Sequence, residues 1–352
     1  MNAVAATPRA PVAAPHATHK LKLLLKREFW EHKGGFFWAP IVAGGISLLL
    51  TLMAVIVGEI TVRRAISDGS FHADGLAKID GSDVTINGLD LGAITGRLGP
   101  EELRNLGHGV DVALSMSAMW PFIVLTFVVF FYCLGALYDD RKDRSVLFWK
   151  SLPLSDRDTV LSKVASALVV APILAVGAAL ATMLVFLVLI SLVVLLHGGN
   201  PVTLLWGPGS PLAIAGRFLA AIPVYVLWAL PTVGWLLLCS AWARSKPFLW
   251  AIMIPLFAAI FVAWFDVMQV FDLDTAWFLK NITGRALLSA VPGSWMSVAS
   301  IEHLRGPEEL QQLMSLKSTY STLATPQLWI GALAGVAMIL GAIRLRRWRD
   351  DN

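Results

Sequence analysis

Charged side chains fall along this chain in blocks, and the gaps between the blocks are long. Gly34–Gly58 carries none, nor does Val112–Tyr138, and Val164–Gly216 is a third and longer charge-free stretch. An ionised side chain at the centre of a bilayer costs about 2.5–3.5 kcal/mol, so a membrane-spanning chain keeps its charges in the loops. As a helix the first run measures about 37 Å, against a hydrocarbon core of about 30 Å. The third run is long enough for two spans, broken where HGGNPVTLLWGPGSP (His197–Pro211) supplies Gly and Pro for a turn. Six spans are predicted at about 34–58, 112–138, 164–196, 212–242, 247–265 and 327–343. The fold class is all-α, a polytopic membrane protein.

Positive charge sets the orientation. The N-terminal tail, loop 139–163, the turn at 244–246 and the C-terminal tail hold eighteen of the 28 Lys and Arg residues. The rest lie almost entirely in segments 59–111 and 266–326, which are too long to weigh heavily in the positive-inside rule. Both termini are therefore expected in the cytoplasm, with 59–111 and 266–326 on the opposite side. Segment 266–326 is semi-apolar, which suits interfacial or re-entrant helices better than a free loop. GPEELRNLGHG (Gly99–Gly109) carries a helix-start signal, with Pro100 followed by two acids.

Composition agrees with this class. Charged residues make up 15% of the chain and hydrophobic ones 57%, where soluble proteins carry about 25% charge. The net charge of +4 is spread over loops, so the basic pI follows from topology and implies no nucleic-acid partner. Cys133 and Cys239 lie inside apolar runs and read as small buried hydrophobes. Residues 1–19, rich in Ala and Pro, read as a disordered tail. The first apolar run is too long for a secretory signal and lacks a small-residue cleavage site.

Two polar segments stand out. KLKLLLKREFWEHK (Lys20–Lys33) gathers Leu21, Leu24, Leu25, Phe29 and Trp30 towards one face and its bases towards the other. That spacing predicts a helix lying on the membrane surface, its bases drawn to anionic lipid. The loop YDDRKDRSVLFWKSLPLSDRDTVLSK (Tyr138–Lys163) is dense in both signs of charge around the apolar patch Val146-Leu147-Phe148-Trp149. Pro153 ends that element, and Ser155-Asp-Arg-Asp158 is a capping box for the next helix. Exposed aromatic residues of this kind either anchor on a groove of a soluble partner or rest on lipid headgroups.

Together these parts resemble the permease subunits of ABC-2 type exporters. The resemblance is topological over most of the chain and specific over DDRKDRSVLFWKSLPLSDRDTVLSK, where Arg144-Ser145 replaces the Gly usual after the first charges. It implies that Lys20–Lys33 is the elbow helix and that Asp140–Ser151 is a coupling helix docking on a cytoplasmic ABC ATPase. Asp140, Arg141, Arg144, Val146, Leu147, Phe148, Trp149 and Lys150 would make that contact. It also implies re-entrant helices within Thr275–Ser300, a path between two copies of the chain, and a place in the bacterial inner membrane.

The chain itself has no G-x-x-x-x-G-K-[ST], so it binds no nucleotide through a P-loop, and ATP with Mg would belong to the partner. No metal-ligand spacing and no hydrolase motif occurs, and the chain is not expected to be an enzyme. The seven His are scattered; His197, at its Gly-rich turn, suits capping. Glu59, Asp111, Asp139 and Asp266 sit at span ends and Arg217 a turn inside one, which argues against an ion-coupled carrier. Gly331 and Gly335 form a G-x-x-x-G that permits close helix approach, and Pro223 and Pro231 imply bends in the fourth span. An anchoring or assembly factor that recruits a soluble partner remains an alternative; the transported substrate is not legible.

Overall fold

The computed structural model describes residues 17–67, 99–143, 155–268, 274–296, 309 and 312–349. Helix α1 (Ala17–Glu31) precedes a short π-helical segment, Gly34–Trp38, that runs directly into α2 (Ala39–Ser67). Residues 17–19, expected in a disordered tail, are the first turn of α1. The second rod comprises α3 (Pro100–Ser117), α4 (Met119–Ala136) and α5 (Tyr138–Lys142). The third joins α6 (Asp156–Ala165) to α7 (Ala171–Leu196) through a π segment at Ser166–Val170. Then come α8 (Pro211–Trp242), α9 (Pro247–Val267), the short α10 (Thr275–Phe278) and α11 (Gly284–Leu288), α12 (Leu316–Ser321) and α13 (Pro326–Arg349).

Six of these rods are long and apolar enough to cross a membrane: Gly34–Thr61, Pro100–Lys142, Asp156–Leu196, Pro211–Trp242, Pro247–Val267 and Pro326–Trp348. Among the described residues there is no strand. The protein is a multi-pass, all-helical membrane protein. Its outward surface agrees, since Leu49, Met53, Phe261 and Leu333 are all more than 60% exposed. Large apolar side chains in that number have no place against water.

The helices outrun the charge-free stretches. Helix α3 begins at Pro100, where Glu102 accepts a hydrogen bond from the Gly99 amide (2.8 Å), and it leads straight into the second span. Helix α6 begins at the Ser155 cap, whose hydroxyl accepts from the Asp158 amide (3.1 Å). Polar ends prolong a helix at no membrane cost once they stand clear of the hydrocarbon, and hydropathy alone cannot see them. Segments 59–111 and 266–326 are therefore partly rod, while residues 68–98 lie outside the described set.

Two apolar cores stack along the bundle. One, near the end that carries α1 and the close of α13, contains Phe36, Val129, Cys133, Leu236 and Ile339. The other, towards the far end, contains Leu114, Met183, Leu187 and Ile214. These ends are called proximal and distal below. Cys133 and Cys239 are free and buried, as the sequence suggested.

The closest helix pair is α8 with α13. A Cβ on Gly335 would lie 2.5 Å from the Leu230 carbonyl group, and one on Gly234 would lie 2.5 Å from the Gly335 carbonyl oxygen. Lipid offers no hydrophobic drive between helices, so such small-residue contacts hold them through dispersion. The G-x-x-x-G face is thus spent inside one chain. Gly331 serves a different neighbour, for a side chain there would collide with the Arg285 guanidinium. Helix α8 is unbroken through both Pro223 and Pro231.

The segment after α9 doubles back. Thr275 Oγ1 donates to Asp266 at the distal end of α9 (2.6 Å), and Thr283 Oγ1 reaches the Pro255 carbonyl (3.4 Å). These acceptors are eleven residues apart, or about 16 Å along the helix. The chain then rises beside α8, where Thr232 donates to the Arg285 carbonyl (3.0 Å) and Tyr225 to that of Ala290 (3.0 Å).

Candidate functional site: a buried charge network

Five charged side chains from four separate parts of the chain meet at the proximal end. Helical spacing puts Leu24 and Glu28 on one face of α1, and that face packs against α6. Glu28 is fully buried. Its Oε2 accepts a hydrogen bond from the Tyr132 hydroxyl of α4 (2.8 Å), and its Oε1 lies 3.2 Å from Lys163 Nζ of α6. That oxygen accepts no hydrogen bond, so its hold on the ammonium is coulombic. Lys163, 2% exposed, also sits 3.5 Å from Asp140 Oδ2 of α5. Arg346 of α13 places Nη1 3.3 Å from the same oxygen and Nε 3.3 Å from Asp156 Oδ1 at the start of α6.

Each charge here has given up most of its water, which costs several kcal/mol per ion. The arrangement is stable because each cation sees two carboxylates. The formal sum of Glu28, Asp140, Asp156, Lys163 and Arg346 is one negative charge, which the His32 ring adjoins with Nε2 4.0 Å from Glu28. Burial holds the His32 pKa below the ordinary histidine range, and Glu28 only partly opposes that. The ring packs edge-on to Tyr132 (centroids 4.8 Å), beside Phe36. A groove of about 520 Å³, lined by His32, Phe36, Tyr132, Asp139, Asp140 and Lys163 among others, opens beside the network.

A second fixture holds the point where loop 139–163 leaves the bundle. The helix breaks at Leu137, and the Ser240 hydroxyl of α8 accepts from the Leu137 and Tyr138 amides (both 3.0 Å) while donating to the Leu134 carbonyl (2.7 Å). Arg141 donates to the Ser240 and Ala243 carbonyls, capping the C-terminus of α8. The loop thus starts from α8 and returns to α1 and α13.

These placements revise several expectations. Asp140, expected on an outward docking face, is buried and turned inward. Arg141 is engaged at the end of α8, and α5 stops at Lys142. Arg144, Val146, Leu147, Phe148, Trp149 and Lys150 lie outside the described residues. The apolar face of α1 is divided: Leu24 is buried with Glu28, Leu25 and Phe29 are half-buried, and Leu21 and Trp30 point outward. Trp30 lies under the Lys33 ammonium, 4.9 Å from the ring centroid. At the distal end His197, read as a capping residue at its Gly-rich turn, pairs with Glu59 through Nε2 (2.9 Å) and with the Val193 carbonyl through Nδ1 (2.8 Å). Those bonds raise its pKa, the carbonyl contact most.

Glu28, Tyr132, Ser240 and Arg346 carry no site signal in the sequence, and Lys163 stands there only as the last residue of the loop motif. Glu28 was visible as an acid four residues after Leu24 on the inward face of an otherwise basic helix. The others looked like ordinary span-end residues, and only the fold brings them together.

No protein-family model matches the chain, nor does any curated protein or solved structure. Among the described residues no group of three or more His, Cys, Asp or Glu could hold a metal ion.

Proposed function

We propose that this protein is the membrane subunit of an ABC-2 type exporter, driven by a separate cytoplasmic ATPase that grips loop 139–163. The carrying observation is how that loop is moored. Its first residues are tied to α8 through Ser240 and Arg141, and its last ones to α1 and α13 through Lys163 and Asp156. A displacement of the loop would be transmitted to these three helices at once. Short π segments at Gly34–Trp38 and Ser166–Val170 sit just beyond His32 and Lys163, where a helix can change register locally.

On this reading α1 is the elbow helix, half on the bundle and half on the lipid surface, with Trp30 and Lys33 at the headgroups. The backward run of α10 and α11 beside α9 is a re-entrant pair. The proximal end faces the cytoplasm, and two copies of the chain enclose the path. The substrate belongs to this proposal only as a class that crosses between apolar helices.

The test is purification from gently solubilised native membranes. A stoichiometric P-loop ATPase should accompany the protein and disappear when Phe148→Asp and Trp149→Asp are combined, with membrane insertion unchanged. Retention of the ATPase by that double variant would overturn the coupling assignment.

A second reading is an ion-coupled carrier, favoured by the groove that reaches Asp140 and Lys163. It requires flux in proteoliposomes under a proton or sodium gradient with no nucleotide present.

A further inference from the structure

A separate cavity lies on the distal side of the bundle, away from the charge network and inside a single chain. It is bounded by α3 and α4, α7, α8 and the turn at Pro292–Met296, and measures about 120 Å³. Sites for drug-sized ligands run to about 300–1,000 Å³, so this one admits a slender body. Its wall is apolar, formed by Phe122, Leu125, Val176, Phe218, Met296 and Met314 among others. Leu125 at the inner part is 2% exposed, whereas Met119 at the rim is 42% exposed.

The polar groups in this wall are uneven in sign. Ser115 spends its hydroxyl on the Asp111 carbonyl (2.8 Å), and Tyr225 spends its own on Ala290. Two donors remain. The Trp295 indole N–H is buried and has no hydrogen-bond acceptor. Arg217 makes no ion pair among the described residues, and no Asp or Glu lines the cavity. The guanidinium at the rim selects an anion, and the apolar remainder of the wall selects hydrocarbon.

Height along α8 decides what kind of molecule carries both. Tyr225 stands fifteen residues from Ser240, or about 22 Å, and Arg217 twenty-three residues, or about 34 Å. A hydrocarbon core of about 30 Å that begins at the Ser240 level includes Tyr225 and ends just short of Arg217. The inner part of the slot is thus at acyl-chain depth and its cation at headgroup depth.

We propose that this cavity binds a short segment of one acyl chain of an anionic membrane phospholipid from the distal leaflet, with Arg217 meeting the headgroup phosphate. The inference does not depend on the exporter reading, because it needs only the depth of the slot. A lipid seated there touches α4, α7, α8 and the turn after α11 together.

The experiment reconstitutes the full chain in phosphatidylcholine nanodiscs doped with phosphatidylglycerol that carries a diazirine in one acyl chain. Cross-linked peptides are mapped by mass spectrometry. Label should concentrate on peptides containing Phe122, Phe218 and Met296. The same diazirine on phosphatidylcholine should label them about fivefold less, because its choline ammonium cancels the phosphate charge that draws Arg217. Arg217→Gln should remove the headgroup preference, and Ala221→Trp should block labelling by filling the slot. Both variants are first checked for unchanged melting temperature and monodisperse elution, and Ala221→Ile replaces the Trp variant if that one is unstable. Uniform label over lipid-facing Phe127 and Phe261, or equal labelling by the two headgroups, would overturn the proposal. So would labelling by a free diazirine fatty acid alone, which would assign the slot to a soluble amphiphile.

Discussion

Arg346 and Asp140 stand 206 residues apart in sequence and 3.3 Å apart in space, and both are buried. Their contact ties α13 to α5 at the proximal end of the bundle. Truncating one partner strands the other charge in a low-dielectric site, at a cost of about 3–5 kcal/mol. Arg346→Ala should therefore lower the unfolding temperature in detergent sharply. The double variant Asp140→Asn with Arg346→Gln should be more stable than the sum of its singles predicts, by about 0.5–3 kcal/mol. Additive losses would mean that the two residues act separately.

Ser240 stands in for a turn of helix. Its hydroxyl satisfies amides at a break that would otherwise be left bare within the protein. Ser240→Ala should cost about 1–3 kcal/mol, the usual penalty for stranding buried polar groups. Hydrogen exchange should show the loss at Leu137 and Tyr138 first, ahead of any global change.

The two glycines of the G-x-x-x-G in α13 are not equivalent. Gly335→Ala drives a methyl group into the backbone of Leu230, which cannot move aside, and should destabilise by about 1–3 kcal/mol or more. Gly331→Ala displaces only the flexible Arg285 side chain and should cost less. Gly216→Ala, with open space at its Cβ, should be silent. Thermal melts of the three variants check the order.

The lowered pKa of His32 makes stability fall with acid. The unfolded chain takes up the proton near pH 6.5 and the folded chain only below that, so stability rises with pH from the folded pKa up to the unfolded one. His197 works the other way, for its raised pKa gives stability that is lost as pH rises above 6.5. Comparison of wild type with His32→Gln separates the two. Between pH 7 and pH 5 the variant should lose less melting temperature than wild type, and parallel curves would contradict the assignment.

The six rods could be read from charge-free stretches, because the bilayer penalty writes itself into one dimension. Where the rods end could not, since Pro100–Asp111 and Asp156–Lys163 are polar helix, visible only through their caps. The site was less legible still. Loop 139–163 drew attention because its charges are dense, yet the buried members of the network are single residues on four elements. A lone Lys163 or Arg346 at a span end has the same sequence signature as a lipid anchor. Asp140 belongs to the same charged loop, and a sequence pattern does not show that its side chain faces inward.

The backbone contact between Gly234 and Gly335 limits how the protein can move. Two helices pressed together without side chains between them cannot slide or swivel independently, so α8 and α13 form one rigid body. The second and ninth helices, whose outer surfaces are mostly lipid-facing, carry no such constraint. Any cycle of opening and closing is then a displacement of light outer helices about a stiff central beam, and the beam itself is what the loop between α5 and α6 is moored to.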